Sequence, residues 1–358
     1  MPDPESRFLD LEILAFIRKY RTRPAPGLAF EWLALKLFDH QFRRNAHYRR
    51  FCELEKKVPG SVRSWREIPA MPALAFKELV LVSFPVGRKV RVFQTSGTTG
   101  GGAPRGAHLF DTFRLYETAV LPPFGKYLLN DGARLSYYFL VPPSGDAPHS
   151  SLSYMADVLD RCLAHGHGKY YVKKGVPLFA ELSKDLRKEQ RPALVFSTAF
   201  VLKGFLDFLA REGTRLRLKK GSRLLETGGF KGRHREISKR SLYVQCQKSL
   251  GIPAARCVSE YGMTELSSQM YAATGGVFTG PAWLKTLVID PRTGREARAG
   301  RAGILRHIDL ANRGSVLAVQ TEDLGRSVAG GFELLGRAKG AELRGCSLTY
   351  EEFIRSGG

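Results

Sequence analysis

The sequence has no long apolar run and no recognisable export signal. Its apolar runs are short, such as Tyr137 to Pro143, whereas a helix that crosses a bilayer needs about 20 consecutive apolar residues. The opening residues, Met1 to Glu5, lack the basic and apolar regions of a signal peptide. From these absences we expect a soluble, cytoplasmic protein without integral membrane association.

Cysteines are few and widely spaced, and the common metal motifs are missing. The five cysteines are Cys52, Cys162, Cys246, Cys257 and Cys346. No two of them form a C-x-x-C pair, so we expect neither a disulfide framework nor a zinc site. His165 and His167 flank a glycine without further ligands in range, and neither H-E-x-x-H nor G-x-S-x-G occurs, which argues against a metal site and against a hydrolase.

Acidic residues are scarce relative to basic ones. The chain contains 56 Lys and Arg but 34 Asp and Glu, a formal net charge of +22. Such a charge favours anionic partners, for which nucleic acid, an anionic membrane surface and an acidic protein are candidates. The basic clusters at 215–220 and 231–240 lack the interleaved aromatic residues of a nucleic-acid platform. We interpret both clusters as solvated faces and expect no nucleic-acid partner.

Hydrophobic periodicity predicts a mixed α/β fold in one large body. Apolar residues recur at helical spacing over 8–17 and 28–51. Short apolar runs at 135–141, 193–197, 223–227 and 256–260 then alternate with amphipathic stretches at 152–163, 200–209 and 234–250. This alternation is typical of βα units on a largely parallel sheet with flanking helices. Closely spaced strand-like runs follow at 284–289, 303–308 and 316–320.

The same patterns predict how the chain is divided. We expect an N-terminal helical portion over 1–90, an α/β nucleotide-binding core over 91–283, a small β-rich subdomain over 284–340 and a short tail over 341–358.

A glycine-rich segment follows a strand-like run that ends at Phe93. The residues of this segment that could bind an anion are Thr95, Ser96, Gly97, Thr98, Thr99, Gly100 and Arg105. Glycines let successive backbone N–H groups converge on an anion, while the hydroxyls and the guanidinium add donors. The segment is neither a Walker A loop nor a G-x-G-x-x-G fingerprint. It therefore indicates a phosphate-binding loop of another kind, with a flexible glycine-rich turn as the alternative.

This segment resembles the phosphate loop of the adenylate-forming superfamily, which contains acyl-CoA synthetases, peptide-synthetase adenylation domains and luciferases. It departs from that loop by an arginine at position 105 in place of lysine and by additional glycine. Four further motifs resemble the family's in the same order along the chain. They are Gly228-Gly229, Tyr261-Gly262-Met263-Thr264-Glu265, Thr321-Glu322-Asp323 and Gly336-Arg337-Ala338-Lys339.

The resemblance implies ATP and Mg²⁺ as cofactors and a role for each motif. Gly228, Gly229, Tyr261 and Gly262 would bind the adenine. Thr264 would donate to the α-phosphate, and Glu265 would help to hold Mg²⁺, which prefers oxygen ligands. Asp323 would bind the ribose hydroxyls, and Arg337 the ribose or phosphate. The alternatives are structural: Tyr261 in the core, Glu265 in the first turn of a helix, and Asp323 in a turn.

The length of the chain indicates which branch of the superfamily it resembles most. Full-length members carry a C-terminal domain with a catalytic lysine after the hinge motif, and we expect that domain to be replaced here by the short tail. The tail, together with segments 150–155 and 308–312, resembles the LuxE-like acyl-protein synthetases. For that family the resemblance implies a long-chain fatty acid as substrate, Cys346 as the nucleophile that takes up the acyl group, and an acyl carrier protein or acyl-reductase as partner.

Other interpretations remain open from the sequence. Cys346 could instead fill a small apolar slot. The chain could be a ligase of the phenylacetate-CoA type, or an adenylating subunit that loads a carrier protein. It could also be a non-catalytic adenylate-binding scaffold, because Glu322 stands where the family motif has glycine.

Overall fold

The computed structural model describes residues 3–87, 90–95, 105–228, 237–274, 276–338 and 353. In chain order the helices are α1 (Pro4–Lys19), α2 (Gly27–Arg44), α3 (Ala46–Leu54), α4 (Ala75–Glu78), α5 (Arg114–Leu128), α6 (Ser151–Leu159), α7 (Phe179–Lys188), α8 (Ala199–Arg211) and α9 (Lys239–Leu250). The strands are β1 (Met71–Pro72), β2 (Arg91–Gln94), β3 (Ala107–Phe110), β4 (Ser136–Leu140), β5 (Lys169–Tyr170), β6 (Val172–Lys173), β7 (Val176–Pro177), β8 (Ala193–Thr198), β9 (Arg223–Thr227), β10 (Cys257–Tyr261), β11 (Met270–Ala272), β12 (Val277–Phe278), β13 (Leu284–Ile289), β14 (Ala302–Asp309), β15 (Ala318–Val328) and β16 (Gly331–Arg337).

The chain forms two compact units whose ranges are interleaved. The first unit contains Met1–Pro122, Met263–Gln269 and Val277–Gly358, and the second contains Pro123–Gly262 and Met270–Gly276. The four consecutive portions expected from the sequence stay a prediction. In the described part of the chain, no helix is both long and apolar enough to cross a membrane.

Helices α1 to α3 begin the first unit, as the periodicity predicts. The Asp3 side chain accepts hydrogen bonds from the backbone N–H groups of Glu5 and Ser6 and so caps α1. Asn45 has an extended backbone, and its side chain accepts a hydrogen bond from the N–H of Tyr48. The apolar pattern over 28–51 is therefore two helices rather than one, because the amide of Asn45 caps α3 where α2 ends.

The first unit is built on a mainly antiparallel sheet. Its strand order is β12-β16-β15-β14-β13, and β1 pairs with β15 in parallel orientation. Strands β15 and β16 pair so that Asp323 lies opposite Arg337. Strands β2 and β3 form a separate hairpin in which Gln94 lies opposite Ala107. The glycine-rich segment is therefore the connection of this hairpin.

The second unit is built on a largely parallel sheet, as the βα pattern predicts. Its strand order is β11-β10-β9-β8-β4-β5, and only β11 is antiparallel to its neighbour. Strands β4, β8 and β9 are buried along nearly their whole length, which suits a sheet with both faces covered. Side chains of α8 and α9, including Leu202, Phe205 and Leu242, pack against this sheet.

Candidate functional site

The glycine-rich segment is held at its two ends in the first unit. The N–H of Thr95 donates to the carbonyl of Gly106 over 2.9 Å. The N–H of Gly106 donates to Thr95 Oγ1, also over 2.9 Å. Thr95 therefore fixes the base of the loop, and Arg105 beside it is exposed. Residues Ser96, Gly97, Thr98, Thr99 and Gly100 lie outside the described residues, so their phosphate-binding role stays a prediction.

Thr264 and Glu265 lie in the turn that follows β10. Strand β10 belongs to the second unit, whereas this turn belongs to the first. No helix starts at this turn, so Glu265 is not a first-turn helix acid. The Glu265 side chain is buried, and Thr264 is half-buried. A carboxyl group that is removed from water in this way needs a cation or a proton nearby.

Asp323 and Arg337 face each other across the β15–β16 pair. Arg337 Nε lies 3.5 Å from Asp323 Oδ1, and its Nη1 lies 3.7 Å from Glu322 Oε2. The Asp323 N–H donates to Thr321 Oγ1 over 3.0 Å, and that hydroxyl donates to the carbonyl of Leu305. Asp323 is thus a strand residue, not a turn former, and Thr321 fixes its backbone.

The charges that act on Glu265 show that its motif lies close to those of Asp323 and Arg337. Burial raises the pKa of Glu265 to about 7. The positive charges of Arg337 and Lys77 lower this pKa, and the negative charge of Asp323 raises it. Glu265 precedes both Asp323 and Arg337 by more than 50 residues in the sequence, and the first unit brings the three within electrostatic range of one another.

Lys77 is a residue of this group that the motifs did not indicate. It lies on α4, and its Cγ would be 3.3 Å from a Cβ placed on Gly106. The side chain is exposed, and within the described residues it forms no ion pair. Lys77 therefore adds a positive charge between the end of the glycine-rich loop and Glu265. No local pattern marks it, because its neighbours are distant in sequence.

The predicted adenine-binding residues that are described belong to the second unit. Gly228 follows β9 with a φ of +70°, in the left-handed region that favours glycine. Tyr261 is the last residue of β10 and is buried, whereas Gly262 is exposed. Both strands therefore deliver these residues at their carboxyl ends, where ligands bind in parallel α/β sheets. Gly229 lies outside the described residues.

A buried polar cluster lies beside Tyr261 in the second unit, and the motifs did not indicate it. Thr227 donates to the carboxyl of Glu260, and burial raises the pKa of Glu260 to about 7. Glu226 and Ser259 lie opposite each other at the neighbouring register position. Lys239 Nζ lies 3.0 Å from Glu226 Oε1 and also donates to Ser259 Oγ. Glu226 and Glu260 occupy neighbouring register positions on adjacent strands, so they point to opposite faces of the sheet, and Lys239 pairs with Glu226.

Magnesium is the metal that the resemblance to the adenylate-forming superfamily implies for Glu265. Within the described part of the chain, no three His, Cys, Asp or Glu side chains converge as a metal site. A single buried carboxyl fits a cation that brings its remaining ligands with it, as Mg²⁺ does when phosphates complete its shell. The residues present therefore fit a magnesium ion shared with a phosphate substrate, not an ion held by protein alone.

Cys346 and Lys339 lie outside the described residues. Among the described cysteines, Cys52, Cys246 and Cys257 are buried and Cys162 is exposed. The assignment of Cys346 as the acyl-accepting nucleophile therefore stays a prediction.

Comparisons with known proteins define the fold. No family model and no curated protein sequence matches the chain. The open conformation of 2-hydroxyisobutyryl-CoA ligase, in complex with 2-HIB-AMP and CoA, superimposes with a TM-score of 0.65 and 15% identity over 88% of this chain and 71% of that chain. ATP-bound MatB from Rhodopseudomonas palustris gives a TM-score of 0.50 and 15% identity over 69% and 47% of the two chains.

The A-PCP protein McyG, complexed with phenylalanyl-adenylate, gives a TM-score of 0.50 and 14% identity over 72% of this chain and 49% of that chain. The chain thus spans about half the length of MatB and McyG. These similarities confirm the predicted fold class: the chain has the mixed α/β fold of the large N-terminal domain of adenylate-forming enzymes.

Proposed function

We propose that the protein is an ATP-dependent ligase that activates a carboxylic acid as an acyl-adenylate and passes the acyl group to a thiol. The observation that carries this proposal is the convergence of Glu265, Asp323 and Arg337 in the first unit. These residues come from separate motifs that resemble adenylate-forming enzymes, and the fold is the one that those enzymes share.

The first half-reaction forms the acyl-adenylate. A carboxylate oxygen of the acid attacks the α-phosphorus of ATP, and the bond from that phosphorus to the pyrophosphate oxygen breaks. Thr264 would donate its hydroxyl to the α-phosphate, and Asp323 would accept hydrogen bonds from the ribose hydroxyls. Arg337, Lys77 and Arg105 would stabilise the negative charge on the phosphates, because cations placed before the reaction need no reorganisation during it.

Glu265 supports this half-reaction through its charge. Its carboxyl is buried and lies within range of the positive charges of Arg337 and Lys77, and carboxylate oxygens are ligands that Mg²⁺ prefers. Glu265 would hold Mg²⁺ together with the phosphates, and the ion would offset phosphate charge during the displacement.

The second half-reaction transfers the acyl group to sulfur. In the LuxE-like version, the Cys346 thiolate attacks the acyl carbonyl carbon, AMP leaves, and a thioester remains on the protein. A long-chain fatty acid is the substrate that this version implies. What supports it is the likeness of the chain's last residues and of segments 150–155 and 308–312 to that family.

A second version would transfer the acyl group to coenzyme A. It is favoured by the similarity to 2-hydroxyisobutyryl-CoA ligase, which was solved with CoA and 2-HIB-AMP. Here the attacking thiolate belongs to the free cofactor, and no thioester forms on the chain. McyG, an A-PCP protein, favours a carrier-protein thiol as a third acceptor of the same chemical kind.

An acidic acyl carrier protein or acyl-reductase is the partner that best suits the charge of the molecule. The second unit has a groove of about 300 Å³ lined by Arg187, Arg215, Arg217 and Lys219, with Glu189 as its acidic residue. Such a surface would accelerate the approach of an acidic protein through long-range attraction. The cluster at 215–220, interpreted from the sequence as a solvated face, contributes three of these cations.

The experiment that tests the proposal measures the fate of the acyl group. The protein is incubated with ATP, Mg²⁺ and a mixture of labelled fatty acids, and its intact mass is recorded before and after neutral hydroxylamine. Cys346→Ala is the test variant, and Cys162→Ala, which removes an exposed cysteine, is the matched control. An adduct that hydroxylamine releases, and that only Cys346→Ala lacks, is the expected result.

Other outcomes decide between the versions. Release of AMP without an adduct, together with acyl-CoA when coenzyme A is added, would replace the protein thiol by the cofactor. Failure of ATP–pyrophosphate exchange with every fatty, aromatic and hydroxy acid supplied would contradict acid activation altogether.

A further inference from the structure

The turn that carries Thr264 and Glu265 is shaped by groups outside it. We call residues 264–268 the motif turn. One main-chain hydrogen bond, from the N–H of Leu266 to the carbonyl of Met263 over 3.1 Å, closes it. A turn with this little internal support depends on its surroundings for its conformation. Two side chains from other parts of the first unit donate to its consecutive carbonyls.

His108 is the first of these donors. It lies on β3, and its Nδ1 is 2.8 Å from the carbonyl oxygen of Thr264. A carbonyl can only accept, so Nδ1 carries the hydrogen. The rings of Phe76 and Phe110 pack against the imidazole with centroid distances of 5.6 and 4.1 Å. Burial lowers the pKa of His108 to about 4, so the ring is neutral and its donor is fixed in direction.

Asn312 is the second donor. Its Nδ2 donates to the carbonyl oxygen of Glu265 over 2.8 Å, and its Oδ1 accepts from Ser267 Oγ over 2.6 Å. The side chain is almost fully buried, with 1% of its surface exposed. The backbone of Asn312 is held in turn, because Gln41 Nε2 donates to its carbonyl over 2.8 Å.

Asp309, at the end of β14, completes these contacts. Its carboxyl accepts from the N–H of Ser267 over 3.0 Å and from Ser268 Oγ over 2.8 Å. Trp283 Nε1 also donates to Ser268 Oγ, over 3.1 Å. The segment 308–312, which the sequence distinguishes only by family likeness, therefore has a physical role, because its side chains hold the second half of the motif turn.

We propose that His108 and Asn312 are positioning residues for the adenylation step, which hold the carbonyls of Thr264 and Glu265 so that the hydroxyl and carboxylate of this pair face the nucleotide phosphates. The inference rests on the proposed function. Neither residue touches substrate; each acts through the backbone of the motif turn. Each donor fixes the peptide plane to which its carbonyl belongs, 264–265 for His108 and 265–266 for Asn312. These two planes flank Glu265 and together set the directions of the Thr264 and Glu265 side chains.

The test compares variants that keep or remove each donor. His108→Leu and Asn312→Leu remove it, whereas His108→Asn keeps an N–H close to the position of Nδ1. Tyr48→Phe is the matched control, because it removes another buried hydrogen bond of the first unit, from Tyr48 Oη to the carbonyl of Pro69 over 2.7 Å. For each variant we would measure the Kd of MgATP by calorimetry, the KM and kcat of ATP–pyrophosphate exchange, and Tm.

We expect both leucine variants to raise the Kd and KM for MgATP by about 10- to 100-fold, because small displacements of positioned groups cost this much. His108→Asn should stay within about threefold of the unaltered protein, since its donor remains. Tyr48→Phe should lower Tm and leave Kd unchanged. Leucine variants that fold and retain the original Kd and KM would overturn the inference. So would an equal change of Kd in Tyr48→Phe, because the effect would then be general destabilisation.

Two further measures keep the test decisive. If Asn312→Leu does not fold, Asn312→Ala removes the same donor to the Glu265 carbonyl without adding bulk, and an unchanged Kd in that variant would equally overturn the inference. If the unaltered protein binds MgATP but exchanges no pyrophosphate with any acid, the proposed function fails while the Kd values still decide the roles of His108 and Asn312. Absence of MgATP binding in the unaltered protein would contradict both.

Discussion

Charge at the Glu265 carboxyl depends on two cations that reach it from different elements. Arg337 comes from the end of β16 and Lys77 from α4, and both lower its pKa. Arg337 also faces Asp323 and Glu322, so part of its charge is already balanced. Lys77 has no such partner within the described residues. Of these two cations, Lys77 is therefore the more available to a phosphate chain.

We expect Lys77→Met to raise the KM for ATP by about tenfold, which corresponds to one charge-assisted contact of roughly 1.4 kcal/mol. Lys77→Arg keeps the charge and should retain most of the affinity. Lys19→Met, which removes an exposed charge from α1, serves as the control. The measurement is the ATP dependence of pyrophosphate exchange. An unchanged KM in Lys77→Met would exclude Lys77 from phosphate binding.

The titration of Glu260 makes the free energy of unfolding depend on pH. In the folded state its pKa is raised to about 7 by burial and by the charge of Glu226, although Thr227 and Lys239 act in the opposite direction. Between pH 4.5 and 7 the folded state therefore keeps a proton that the unfolded state loses. Stability from this group is fully present at low pH and declines as pH rises through that window.

Glu260→Gln removes this titration while keeping an acceptor for Thr227. We expect the variant to gain stability relative to the unaltered protein as pH rises from about 5 to 8, by about 3 kcal/mol over the window. Urea denaturation at several pH values measures the difference. If the two stability curves run parallel, Glu260 does not titrate as its environment suggests.

At the scale of elements, hydrophobic periodicity predicted the helices and strands that have a regular apolar face, and it missed a short strand whose partner is distant in sequence. The strands of the parallel sheet and helices α1, α2, α8 and α9 follow from local patterns, because each buries one regular face. Strand β1 has only two residues and pairs with β15 some 250 residues later. Nothing in its own sequence marks it as a strand, since its partner supplies the hydrogen bonds.

The residues of the candidate site also fall into those that the sequence could predict and those that it could not. Thr264, Glu265, Asp323 and Arg337 could be named from the sequence because each lies in a short motif. The roles of Lys77, His108 and Asn312 could not be predicted, because their contacts join segments that are far apart in sequence and depend on the folded positions of α4, β3 and β14.

Glycine is required inside the antiparallel sheet where strands approach closely. A Cβ on Gly303 of β14 would overlap the carbonyl oxygen of Ile289 on β13. We expect Gly303→Ala to destabilise the protein by about 1–3 kcal/mol, because backbone atoms of the pair must separate. Gly27→Ala, where a Cβ meets no atom within 4 Å, should be neutral or slightly stabilising. Urea midpoints of both variants check this, and equal midpoints would contradict the steric argument.

At the scale of the whole molecule, one buried arginine joins distant segments of the first unit. Arg313 Nε donates to Asp10 Oδ1 over 2.8 Å, and its Nη2 donates to Asp111 Oδ1 over 2.8 Å. Only 1% of its side chain is exposed. The charges of both carboxylates raise the pKa of Arg313, against the opposing effect of burial.

Arg313→Met should lower stability by about 3–5 kcal/mol, because two carboxylates lose the cation that balances them in a buried place. The loss should be partly recovered in the triple variant that adds Asp10→Asn and Asp111→Asn, since no buried charge is then left without a partner. Thermal unfolding of the single and triple variants gives the comparison. A single variant as stable as the unaltered protein would show that the three charges do not support the fold.

The interleaving of the two units also determines the order in which a ribosome can complete them. Residues of the second unit form one nearly continuous stretch, so this unit can fold once its own segment has left the exit tunnel. Helices α1 and α2 must wait for part of their packing. Arg313, Asn312 and strand β15, which contact the early segments, are synthesised some 250 to 300 residues later. During that interval Asp10, Gln41 and strand β1 lack the partners that residues 312–320 supply in the folded protein. The first unit is therefore completed only after the whole segment of the second unit has been made.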